Sequence, residues 1–129
     1  NGFGNAAATA FPVYLPGEIM LIKAECYARA TSPDLTNSLV ELNKVVTKLP
    51  AADPFAVGAG LSTITGSFTQ AQLLDSIYKH RSIELYMSGH KLEDMRRFAR
   101  PNAERKRNLM PYPLRERDNN PNTPADPAF

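Results

Sequence analysis

Residues 88–100 read SGHKLEDMRRFAR and hold a histidine, two carboxylates, a lysine and three arginines within thirteen positions. Chemistry of several kinds can be built from such a set. His80 and Glu84 are four residues apart, as are His90 and Asp94, so each pair can share a helix face. A metal-dependent hydrolase is one use of those four groups. A catalytic zinc normally takes three protein ligands and a water, and the helical HExxH arrangement is absent. Such a site would have to be assembled across helices. Ser82 or Ser88 could serve as a nucleophile beside a histidine, but no nucleophile-elbow motif is present. There is also no glycine-rich phosphate loop of the GxxxxGK[ST] type.

The same residues support a structural use. Arg81 and Glu84 are spaced i,i+3, as are Asp94 and Arg97, and Glu93 and Arg97 are spaced i,i+4. Exposed pairs of this kind contribute about 0.2–0.5 kcal/mol each. Gathered around a joint at Gly89 they would form a partly buried network, in which His90 is a hydrogen-bonded joint residue. The stretch 96–107, RRFARPNAERKR, has six basic groups against one acid and attracts anions in principle. With no nucleic-acid motif and a net charge of only +2, it reads as a solvated basic face rather than a nucleic-acid site.

The elements that position these groups are helical. GEIMLIKAECYARAT has a helical period, with Met20, Ala24, Tyr27 and Ala28 along one face, widened by Ile19, Ile22 and Cys26. Ala24 and Ala28 permit close approach of another helix. SPDLTNSLVELNKVVTKLP predicts a second helix, capped by Ser32 or Asp34 and ended by Pro50. Its apolar positions are Leu35, Leu39, Leu42, Val46 and Leu49. The short gap between the two predicts an antiparallel hairpin. Residues 50–67 read as a loop rich in Ala, Gly and Pro, with LSTIT at most a short extended piece.

FTQAQL carries the clearest helix start. Thr69 and Gln72 have capping-box spacing, and Phe68 and Leu73 have staple spacing. That helix is expected to run through residues 73–87 on Leu73, Leu74, Ile77, Ile83 and Leu85, and to stop at Gly89. HKLEDMRRFA predicts a fourth helix ended by Pro101. Residues 1–15 are expected to be extended or frayed, and 108–129 to form an extended proline-rich tail, since a residue before proline is pushed out of the helical region. The whole reads as a single all-α segment, residues 1–129, of helical hairpins with a long loop and an extended tail.

Composition is that of an ordinary soluble chain, 43 % hydrophobic and 22 % charged. No apolar run approaches the roughly 18–20 residues of a membrane span. The opening NGFGNAAATAF has no basic n-region or long apolar core and is not read as a signal peptide. The single cysteine, Cys26, excludes an intramolecular disulfide and is expected to be a small buried apolar residue.

Taken in order, the motifs are similar to the C-terminal part of the SusD/RagB family. Its pattern runs approximately Glu-Arg-x-x-Glu-Leu, Glu-Gly-His-Arg, then Asp-Leu-x-Arg, followed by a proline-rich stretch with Asn-Pro. Arg81, Glu84 and Leu85 match the first group, with His80 where glutamate is usual. Gly89 and His90 match the second, with Ser88 and Lys91 as departures. Asp94 and Arg97 match the third, with Met95 for leucine and Phe98 where tryptophan is common. Pro111, Pro113, Glu116, Asn120 and Pro121 match the last stretch. Ala24 with Glu25 and Leu42 with Asn43 match earlier pairs.

The resemblance implies a tetratricopeptide-like helical fold and a non-enzymatic role without a cofactor or metal. Its members are surface lipoproteins of the outer membrane that capture a glycan or peptide nutrient for a SusC-like TonB-dependent transporter. Complete members are several times longer, so the chain is expected to be a C-terminal segment, with the lipid anchor and most of the ligand surface in the remainder of the protein. Arg81, Glu84, Gly89, His90, Asp94, Arg97, Asn120 and Pro121 are then structural signature residues. The proline-rich tail is expected to lie in order against the helices, burying Leu109, Met110, Tyr112, Leu114 and Phe129. The alternatives are the small helical hydrolase on His80, Glu84, His90 and Asp94, or a generic helical protein-interaction module.

Overall fold

The computed structural model describes residues 13–105 and 112–125. Among them are six α-helices, one 3-10 turn and no strand, as an all-α chain requires. The chain divides into two compact units, Asn1–Lys91 and Leu92–Phe129.

In the first unit, α1 spans Pro16–Arg29 and α2 spans Leu35–Val46. Pro16 stands at the first helical position, where its missing N–H costs nothing. Asp34 caps α2, accepting the Asn37 N–H at 2.9 Å, and the bond holds its carboxyl below the ordinary range. Pro33 therefore lies just outside the helix. Tyr27 pairs with Asp34 through the backbone, Ala24 with Ser38, and Lys23 with Glu41. Numbers rise on one helix as they fall on the other, so the hairpin is antiparallel. The buried Ser38 hydroxyl donates to the Ala24 carbonyl at 2.7 Å, an approach that a larger residue at either position would block.

α3 spans Gln70–Glu84 and packs on both helices. Its capping box is formed, with the Thr69 hydroxyl on the Gln72 N–H and the Gln72 side chain on the Thr69 N–H. Gln70 adds a bond to the Ala28 carbonyl at 2.8 Å, tying the start of α3 to the end of α1. Leu21, Ala24, Ala28, Leu42, Val45, Val46, Leu73 and Ile77 form the sealed centre. Each fully buried Leu or Ile there contributes about 1.5–3 kcal/mol.

Three expectations about these helices are corrected. On α1 the inward face centres on Leu21, not on Met20 and Tyr27; Ile19, Ile22, Tyr27 and Cys26 are exposed. A helix apolar on nearly every side gives the pattern no single face to point to, and the contacts with α2 and α3 select one. Leu49 falls beyond the end of α2 and is exposed, while Val45 is buried in the helix itself. α3 stops at Glu84, five residues before Gly89. The chain then turns through Met87 (φ 66°) and Gly89 (φ 85°), leaving Ile83 and Tyr86 exposed.

Within the loop, a 3-10 turn covers Pro50–Ala52 and no strand follows. The path is fixed instead by α2. Gly60 and Leu61 N–H donate to the Lys48 and Val46 carbonyls, both at 2.9 Å. Asn43 grips Ile64 with its whole carboxamide: Nδ2 donates to the Ile64 carbonyl at 3.0 Å and Oδ1 accepts the Ile64 N–H at 2.8 Å. Gly58 passes so close to Lys48, Leu49 and Pro50 that a Cβ would meet their backbone atoms at 2.5–2.8 Å.

α4, Lys91–Arg97, begins at the boundary of the units. In the second unit it ends through Ala99, which adopts a left-handed φ of 49°. The Ala99 N–H reaches the Arg96 carbonyl at 2.9 Å and the Arg100 N–H reaches the Met95 carbonyl at 2.8 Å. This paired closure usually uses glycine. Pro101 follows, and α5 is the single turn Asn102–Arg105.

The tail differs from its expected extended form. Leu114–Asn119 is a helix, α6. The prolines flank these six residues rather than interrupt them, and Pro113 stands at the cap, its carbonyl accepting the Glu116 and Arg117 N–H groups at 3.0 and 3.2 Å. Tyr112 and Leu114 are exposed, contrary to the expected burial. Leu109, Met110 and Phe129 lie outside the described residues, as do residues 1–12 of the lead-in. Leu15 is not frayed but buried at the start of α1.

Candidate functional site

The structure gathers charge at a place the motif reading did not point to. Lys48, just past the end of α2, sends its ammonium between two carboxylates. One is Asp53 of the loop, at 2.8 Å, and the other is Glu84 in the last turn of α3. The Lys48 side chain is 9 % exposed, that of Asp53 1 % and that of Glu84 3 %. Asp53 also accepts the backbone N–H groups of Phe55 and Val57, at 2.9 and 3.4 Å. Gly17, buried in the first turn of α1, lies directly against Glu84: a Cβ there would fall on the carboxylate. Helix starts carry partial positive charge, which suits an anion in that position. One cluster thus joins α1, α2, α3 and the loop.

The electrostatics follow from burial opposed by pairing. Burial penalises the Lys48 ammonium, but the hydrogen bonds and charges of Asp53 and Glu84 outweigh it and raise the pKa. For Asp53, burial again pushes upward, and Lys48 together with the two backbone N–H groups brings the pKa below its ordinary value. For Glu84 burial wins. Lys48 lowers its pKa, the Asp53 charge adds to the upward push, and the net shift is upward. Two acids on one ammonium thus have opposite shifts, the proton preferring the residue without backbone donors.

The signature residues occupy separate places. Glu84 belongs to the cluster just described, and Arg81 on the same helix is buried. His90 is half-exposed, its Nε2 3.5 Å from Glu18 Oε1 in the first turn of α1. Gly89 has φ 85° with open space where a Cβ would project, so its need for glycine is conformational alone. Lys91, standing where the family has arginine, reaches the Tyr78 hydroxyl at 2.6 Å and the Ser82 hydroxyl at 2.8 Å. In the second unit, Asp94 is buried and pairs with Arg97 at 2.8 Å. Asn120 ends α6 and accepts the Asn122 N–H at 3.0 Å, and Pro121 after it is exposed.

The four groups weighed for hydrolysis are spoken for differently. Glu84 is held by Lys48, His90 faces Glu18, and Asp94 pairs with Arg97. His80 is buried, and burial, with Lys79 nearby, lowers its pKa. Among the described residues no three of His, Cys, Asp or Glu are grouped to hold a metal ion. The basic stretch likewise has local partners: Arg96 pairs with Glu93 at 2.6 Å, Arg100 with Glu104 at 2.7 Å, and Arg105 with Asn102. Lys106 and Arg107 lie outside the described residues.

Sequence reasoning found Glu84 but missed both of its neighbours. A signal existed. Asp53 is the only charged residue between Lys48 and Asp75, in a stretch otherwise apolar or neutral. A lone charge in such surroundings asks for a partner.

Searches among curated proteins and among solved structures gave no match. The family model described as the SusD family matches residues 4–127, nearly the whole chain. The ordered motifs and this match agree: the chain belongs to the SusD family, whose members are in general non-catalytic glycan-binding proteins of the outer-membrane surface.

Proposed function

We propose that this chain is the C-terminal helical scaffold of a nutrient-binding lipoprotein that captures a glycan or peptide for a SusC-like TonB-dependent transporter, and that it catalyses nothing itself. The observation that carries the reading is the family match over residues 4–127. The geometry supports it: Glu84, a buried signature carboxylate, sits in an ion cluster that joins three helices and a loop, a scaffold role rather than a reactive one. The hairpin of α1 and α2, with α3 across it, suits a tetratricopeptide-like scaffold. The signature residues Arg81, Glu84, Gly89, His90, Asp94, Arg97, Asn120 and Pro121 act in this reading as fold determinants, and the ligand surface belongs to the remainder of the protein.

The chain has no tryptophan, and of its tyrosines Tyr78 is buried. Isothermal titration of the chain against a panel of neutral and acidic oligosaccharides is therefore expected to show weak binding or none. Micromolar affinity would overturn the assignment of the ligand surface elsewhere. Hydrolysis of any panel member, lost in Glu84→Gln, would overturn the non-catalytic reading.

A further inference from the structure

We draw no further inference here: the strongest candidate, the exposed apolar stripe of Ile19, Ile22 and Cys26 on the outer face of α1, carries nothing because nothing in the structure shows what covers it.

Discussion

Lys48 and Arg96 each hold a carboxylate, yet they stand at opposite ends of what an ion pair can do. Arg96 meets Glu93 three residues away on the same helix, and both side chains are at least one-third exposed. Arg100 and Glu104 repeat the pattern four residues apart. Pairs of this kind compete with water and are worth under about 1 kcal/mol. Lys48 instead meets Glu84 across 36 residues, with almost no water around either. There the charges have left solvent, so removing one leaves the others buried without their counter-charge. The Lys48–Glu84 pair binds the first unit at long range in sequence, beside local pairs such as Arg29–Glu25 and Lys44–Glu41; the charged pairs described in the second unit are all short-range.

That contrast can be broken by substitution. Lys48→Met keeps the stem of the side chain but leaves Asp53 and Glu84 buried without their shared cation. A loss of about 3–5 kcal/mol is expected in urea melts. A loss below 1 kcal/mol would place Lys48 among the ordinary surface pairs. Gly17→Ala comes next, and its sign is the informative part. Alanine in a helix is normally better than glycine by about 0.5–1 kcal/mol. Here its Cβ displaces the Glu84 carboxylate, so a net loss of about 1–3 kcal/mol is expected, the usual cost of overpacking. If Gly17→Ala stabilises, the cluster is not anchored on α1.

Asp94 tests the contrast inside the second unit, because it is a buried member of an otherwise exposed set. Asp94→Asn is expected to lower stability by about 1–3 kcal/mol. Glu93→Gln, one position away and 69 % exposed, should change it by no more than about 0.5 kcal/mol. Equal effects would mean that the burial of Asp94 has no energetic weight.

The smallest effect expected is in the pH profile. Asp53 binds its proton less readily in the folded protein, so its contribution is present above its ordinary 3.8 and lost as pH falls through the lower folded value. Glu84 works the other way. Its folded pKa lies above its ordinary 4.5, so stability from this group rises as pH falls through the folded value toward 4.5. Lys48 contributes fully below 10.5 and loses that contribution as pH rises through its higher folded value. Stability in Glu84→Gln, compared with the parent between pH 7 and 4.5, should lack the gentle rise on acidification. Parallel curves would show that Glu84 titrates as it does in the unfolded chain.

How far these features could be read in advance depends on how local they are. The capping box of Thr69 and Gln72 lies within four residues, and it formed as its spacing predicts. So did the antiparallel pairing of α1 and α2, because a five-residue link leaves little choice. The inward face of α1 was not legible, since Leu21 and Ile22 are equally apolar and only the neighbours separate them. The helix in the tail was missed because the prolines dominate the composition, although Leu114–Asn119 itself contains none. Lys48, Asp53 and Glu84 belong to three different elements. No periodicity links them, and their meeting is a consequence of the fold.

Asn43 leads to a different kind of expectation, about what the loop can become. Its carboxamide reads the backbone of Ile64 and no side chain, so the clasp accepts any residue at position 64 except proline, which lacks the N–H. Lys48 and Val46 hold Gly60 and Leu61 in the same way, carbonyl to N–H. Related chains are therefore free to change the residues between Leu61 and Ile64, or to lengthen the loop there, whereas Asp53, Gly58 and Gly60 are held by their pairing, close packing and positive φ. An aspartate at position 43 is the exception: it cannot donate to the Ile64 carbonyl, and one half of the clasp would turn repulsive.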